Sequence, residues 1–347
     1  MNIKALQTKK ALPILSFPSI QLMGISVREL IASSDMQAKG MQMIAARTDS
    51  AASVSMMDLS VEAEAFGATV RFSDDEVPTV TNTLVTDEDE ANALAVPAVG
   101  AGRTGLYIEA IGKACALITD RPVFAGVIGP YSLAGRLLDV SEIMILCYEE
   151  PDMVHTVLRK ATDFLIAYMN AYKATGAAGV VVAEPLAGLL SPSLMEEFAA
   201  PYMKEIVDAV QTDDFAVIYH NCGNAVEMLT DEILSCGAAA YHFGNAVSMK
   251  TMLEKMPRDV LVMGNIDPVG ELRGGTPDSV YAKTSELLRE CAGYENFIIS
   301  TGCDVPPMAK WENIDAFFRA VNDFYQSCSK MKKPSLAQLP IRKITNL

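Results

Sequence analysis

Aromatic residues make up only 7% of this 347-residue chain, so its core must be built from aliphatic side chains and 19 methionines. Positive charge is also scarce: 28 Lys and Arg stand against 43 Asp and Glu, for a formal charge of −15. Nucleic acid and anionic membranes both demand basic patches, so neither is an expected partner. Small substrates or a protein partner suit that balance, as does an acidic protein with no charge-selected partner. No uncharged apolar run reaches the roughly 18 residues of a membrane span. Residues 1–10 are polar and lack the apolar centre of a secretory leader. The seven cysteines are odd in number and follow no framework spacing. Reduced thiols and a cytoplasmic location are the expectation. Oligomeric state is left open.

Half of the residues are hydrophobic, and they fall into short apolar runs alternating with helix-period segments. Strands are expected at 12–17, 52–57, 122–128, 178–183, 216–219, 238–242, 260–263 and 297–300. Helices are expected at 27–47, 104–118, 141–149, 151–172, 193–211, 225–236, 247–256, 277–292 and 311–328. Residues 72–85, with Asp74, Asp75 and Glu76, read as an irregular solvated loop. Nearly all-apolar strands are the mark of a parallel sheet covered on both faces. Eight such units close most economically as an α/β fold of the (β/α)8 TIM-barrel type, a single domain over 1–330 followed by a tail over 331–347. A doubly wound open sheet is the alternative, but no Gly-x-Gly-x-x-Gly follows the first strand.

In such a barrel the chemistry sits at the carboxyl ends of the strands. The residues there are Asp58, Glu184, His220, Cys222, His242, Asp267 and Cys303. His220 and Cys222 are two apart, so on extended chain their side chains point the same way. Cys303 ends a second apolar run and meets them in the same mouth. One imidazole and two thiolates make a three-ligand zinc site with a position open, the arrangement of a catalytic rather than a structural zinc. Glu184 is the candidate fourth ligand or thiol base, or else a helix-capping carboxylate. His242 is a candidate catalytic or supporting group, or a packed histidine. Asp58 and Asp267 are expected to shape loops or bind substrate, and Asp304 to orient a ligand. Arg103 and Arg136 are candidate contacts for an anionic substrate tail. Cys115, Cys147, Cys236, Cys291 and Cys328 are expected to be inert.

Several stretches together resemble the uroporphyrinogen decarboxylase superfamily. They are Gly129-Pro-Tyr-Ser-Leu-Ala-Gly135, Glu184-Pro-Leu-Ala-Gly-Leu-Leu-Ser-Pro192, His220-Asn-Cys222-Gly, Gly264-Asn-Ile-Asp-Pro268 and Thr301-Gly-Cys303-Asp-Val-Pro-Pro307. The His-x-Cys…Cys set is similar to that of the zinc-dependent methyltransferases, which exchange a methyl group between a corrinoid protein and a thiol such as coenzyme M. That resemblance implies Zn2+ on His220, Cys222 and Cys303, a cobalamin carried by a corrinoid-binding partner protein, with Arg103 and Arg136 as candidate contacts for the corrinoid too, and a small thiol or methylated substrate. The donor, the acceptor and the direction of transfer stay open. The decarboxylases themselves carry an Arg-Gln-Ala-Gly-Arg run after the first strand. Here that place reads Phe17-Pro-Ser-Ile-Gln-Leu-Met-Gly24, with no arginine to clamp a carboxylate. A decarboxylase and a non-catalytic metal- or corrinoid-protein-binding barrel are the rival readings.

Overall fold

The computed structural model describes Leu6 and residues 9–331. The tail expected over 331–347 therefore lies, past Met331, outside the described residues. Among the described residues nine strands form in chain order: β1 (Ser53–Val54), β2 (Val70–Arg71), β3 (Thr79–Val80), β4 (Val123–Ile128), β5 (Gly179–Ala183), β6 (Ala216–Asn221), β7 (Ala240–Phe243), β8 (Leu261–Ile266) and β9 (Phe297–Thr301). Seven of them make a curled parallel sheet in the order β1-β4-β5-β6-β7-β8-β9, each strand beside its predecessor as in a TIM barrel. The β-branched density of β5, Gly-Val-Val-Val-Ala, suits a strand buried along its whole length.

The strand expected at 12–17 does not join this ladder. The chain from Ala11 to Ile14 instead bridges the sheet's two edges. Ala51 N donates to Ala11 O (2.7 Å), Leu12 N to Ile299 O (3.0 Å) and Val305 N to Ile14 O (3.0 Å). Side chains take the remaining places: Ser300 Oγ donates to Leu12 O (2.7 Å), and Ile14 N donates to Thr301 Oγ1 (3.2 Å). Hydroxyl groups have replaced backbone partners, which is why this segment fills the eighth position without regular pairing.

Other differences have local causes. The helix expected at 193–211 splits into Pro192–Phe198 and Ala200–Val210, because Pro201 has no N–H to give the preceding turn. The segment 225–236 divides into a short turn, Val226–Met228, and a helix, Thr230–Ser235. The loop at 72–85 is framed by an antiparallel hairpin of β2 and β3, with Asp74, Asp75 and Glu76 exposed between them. Sequence periodicity also misses the helix Pro130–Leu138. Elsewhere the start signals work. Pro151 opens Pro151–Ala174, and Thr276 caps Pro277–Glu290 in a reciprocal pair with Ser279.

Two apolar clusters result. One lies between sheet and helices and includes Val217, Tyr219, Tyr241 and Ile299. The other fills the barrel interior with Ile218, Ala240, Met263 and Ile298, among others. Alternation along each strand therefore fixes which residues look inward: on β6, β7 and β9 the next inward residues are His220, His242 and Ser300. No helix among the described residues is long and apolar enough to cross a membrane.

Strand approach is tightest at Gly179, where a Cβ would overlap the Ala216 carbonyl oxygen and sit 2.8 Å from Phe124 Cε1. Gly179→Ala is expected to lower stability by about 1–3 kcal/mol in denaturant titration. Gly293→Ala, with no atom within 4 Å of the added carbon, should change it by less than about 0.5 kcal/mol.

Candidate metal centre

Strand β6 carries His220 at its penultimate position, fully paired on both sides: Ala183 on β5 and His242 on β7 are its register partners. Cys222 follows just past the strand end. It fits there because Gly244 lies against it; a Cβ at that position would be 2.5 Å from Cys222 Cα and 2.6 Å from its Cβ. Cys303 comes two residues after β9, held by the bond from Gly302 N to Ile266 O (2.7 Å). The ligand atoms of His220, Cys222 and Cys303 all lie within 4.8 Å of one another. A zinc ion, with bonds of about 2.0–2.3 Å to such atoms, would be held by these three residues.

The chemistry of these atoms fits a soft divalent ion. Contact with the Cys303 sulfur lowers the Cys222 thiol from its ordinary value. Contact with Cys222, and then burial, pushes Cys303 up to about 12. One thiol is lowered and the other raised, as expected of two sulfurs that share one site and titrate as a pair. The imidazole adds a stronger sign. His220 is 1% exposed, and its Nε2 has no hydrogen-bond partner. An unpaired buried nitrogen is costly unless something else takes its lone pair.

The other nitrogen of His220 is occupied, with Nδ1 2.8 Å from Nδ1 of His242. Nε2 of His242 reaches Ser300 Oγ at 2.7 Å. His242 thus stands behind His220 and outside the three-ligand group, and burial, then the neighbouring His220, holds its pKa well below the ordinary imidazole value.

Glu184 is likewise outside the group. Its oxygens accept from Tyr131 N (2.9 Å), Ser132 N (3.0 Å) and Ser132 Oγ (2.7 Å), so it caps the helix Pro130–Leu138. Burial lifts it to about 7 even so. Of the roles expected of it, these contacts match the helix-capping carboxylate, at a first turn where free N–H groups draw a negative charge. Asp304 accepts from Met57 N (2.8 Å) rather than orienting a ligand, and its other oxygen is buried without a partner. Asp267 shapes its loop by accepting from Val269 N and Gly270 N.

Arg103 is committed to protein carboxylates, with Nη1 at 2.5 Å from Asp58 Oδ2 and Nε at 2.6 Å from Glu64 Oε2. Tyr107 OH also donates to Asp58 (2.7 Å). Arg136 is half-buried near Asp58 and Glu62 and makes no hydrogen bond or ion pair among the described residues.

Glu62 was not visible in the sequence, because the five-residue helix Val61–Ala65 is too short to show a period. It is 2% exposed, accepts from Ile128 N (3.2 Å) through Oε1, and leaves Oε2 unpartnered. Burial pushes it from 4.5 up to about 8. Its folded pKa lies above the unfolded one, so its contribution is full below pH 4.5 and is lost as pH rises through about 8. The stability of wild type relative to Glu62→Gln should fall across that window by up to about 5 kcal/mol, read from unfolding at stepped pH. A difference that does not change with pH would show an ordinary carboxylate.

Comparison with known proteins agrees with this architecture. Methylcobamide:CoM methyltransferase MtbA of Methanosarcina acetivorans is 27% identical over 275 residues, covering 77% of this chain and 78% of that protein. A uroporphyrinogen decarboxylase of Synechococcus sp. is 27% identical over 221 residues, 61% of each chain. The solved structure of a methyltransferase from Methanosarcina mazei superposes with a TM-score of 0.83 at 24% identity, covering 93% of this chain and 97% of that one, which establishes the shared fold. Residues 15–324 match the uroporphyrinogen decarboxylase (URO-D) family over most of the chain's length, and the protein belongs to that family.

Proposed function

We propose that this protein is a zinc-dependent methyltransferase, moving a methyl group between a corrinoid carried by a partner protein and a small thiol or methylated substrate. The observation that carries this reading is the convergence of His220, Cys222 and Cys303, with one buried imidazole nitrogen left unpaired. A zinc ion there would hold an incoming thiol deprotonated at neutral pH and adds no redox chemistry of its own. Two cysteines and one histidine bring two negative charges, which offset the ion's own and keep a fourth ligand electron-rich. Beneath them the packed interior of Ile218, Ala240, Met263 and Ile298 closes the site from below, so substrate enters from the mouth. Methylcobamide:CoM methyltransferase activity, named for one relative, supports the same reading.

The decarboxylase reading finds less support. A substrate with many carboxylates needs several free cations, whereas Arg103 is spent on Asp58 and Glu64. The short helix Ser19–Met23, after the 11–14 bridge, carries no basic residue. The rim suits a protein partner instead. Leu189, Met228, Val269 and Met308 are all exposed, and they lie in the connections after β5, β6, β8 and β9.

Protein purified without chelator should hold about one zinc per chain, and Cys222→Ser and Cys303→Ser should each lose most of it. Retention of full metal by both variants would overturn the ligand assignment. Arg136→Gln should raise KM for an anionic thiol about tenfold or more while leaving an uncharged thiol unaffected. Equal effects on both substrates would show that Arg136 does not read the anionic tail.

A further inference from the structure

The hydrogen bonds behind His220 have a direction, and it can be followed atom by atom. The Leu12 carbonyl can only accept, so Ser300 Oγ spends its one proton there, at 2.7 Å. Nε2 of His242, 2.7 Å from the same oxygen, must then be the donor. All three groups are buried, which disfavours a charged imidazole. A neutral His242 that is protonated on Nε2 presents a bare Nδ1. That atom faces Nδ1 of His220 at 2.8 Å, so the His220 nitrogen carries the hydrogen. A neutral His220 protonated on Nδ1 leaves Nε2 as a lone pair, and Nε2 is the buried atom without a partner.

We infer that His242 and Ser300 are positioning residues that lock His220 in the tautomer needed to bind metal through Nε2. The inference rests on the metal reading above, but the lock itself exists before any ion arrives. The alternative tautomer would place the hydrogen on Nε2, the one nitrogen left to hold a metal, and each binding event would first have to reverse the whole chain. The anchor is the Leu12 carbonyl, which a regular strand would have engaged through a backbone N–H. The irregular closure of the barrel at residues 11–14 thus frees the acceptor from which the proton order is set.

The chain has three histidines, so the imidazole nitrogens of metal-free protein can be assigned by 15N-edited NMR. His220 and His242 should appear as the Nδ1–H and Nε2–H tautomers respectively. Ser300→Ala, which removes the fixed acceptor, should turn both into mixtures. His242→Ala should weaken zinc binding about 10–100-fold, with His242→Gln, which can accept and donate at matching places, restoring part of it. The lock is overturned if metal-free His220 is protonated on Nε2, if Ser300→Ala leaves the tautomers unmixed, or if a folded His242→Ala binds zinc as wild type does. Failure of the wild type itself to bind zinc would sink the proposed function, while the tautomer measurement would still decide the lock.

Discussion

A buried imidazole has two nitrogens and must find a use for both. In this barrel that constraint organises everything at the mouth. The interior below is apolar, so it offers no partner to Nε2 of His220. Its Nδ1 is taken by His242, whose own ring is fixed by Ser300 and, through it, by the Leu12 carbonyl. What remains is one unpaired nitrogen, on a residue whose ligand atom lies within 4.8 Å of two cysteine sulfurs. A chain of neutral hydrogen bonds thus yields a site with the donor set of a soft metal.

Burial governs the acidic groups around it in a second way. Glu62 is driven to about 8, Glu184 to about 7, and Asp304 well above its ordinary range. Each finds a backbone N–H to accept from, at Ile128, Tyr131 or Met57. An acidic protein can therefore keep carboxyl groups at its mouth without surrounding the site with full negative charge. Asp58, which does sit beside a guanidinium, is held by Arg103. Cations that look available in the sequence are in part already consumed by the fold.

Much of this was legible beforehand. Strand after helix after strand, with polar residues gathered at the strand ends, is enough to give a barrel and its mouth. The two-residue step from His220 to Cys222 places both side chains on one side of β6 in any extended conformation. Cys303 could be added because its apolar run ends in the same way. The 11–14 bridge was less legible, since an apolar run does not reveal that hydroxyl groups will replace its backbone partners. Glu184 reads equally as base, ligand or cap until the helix Pro130–Leu138 is seen to begin beneath it, and Glu62 gives no signal at all.

Sequence by itself determined the periodicities, and with them seven strands of the sheet, the sidedness of their residues and the convergence of His220, Cys222 and Cys303. Those follow from local geometry, which repeats every two residues on a strand wherever the strand lies. Only the tertiary structure decided which nitrogen of His220 is free, where Glu184 spends its oxygens and that Arg103 is tied to Asp58 and Glu64. Such questions depend on which partner arrives across the barrel, from residues as distant as Leu12 and Ser300, and hydrogen-bond direction is set by that partner rather than by the residue itself.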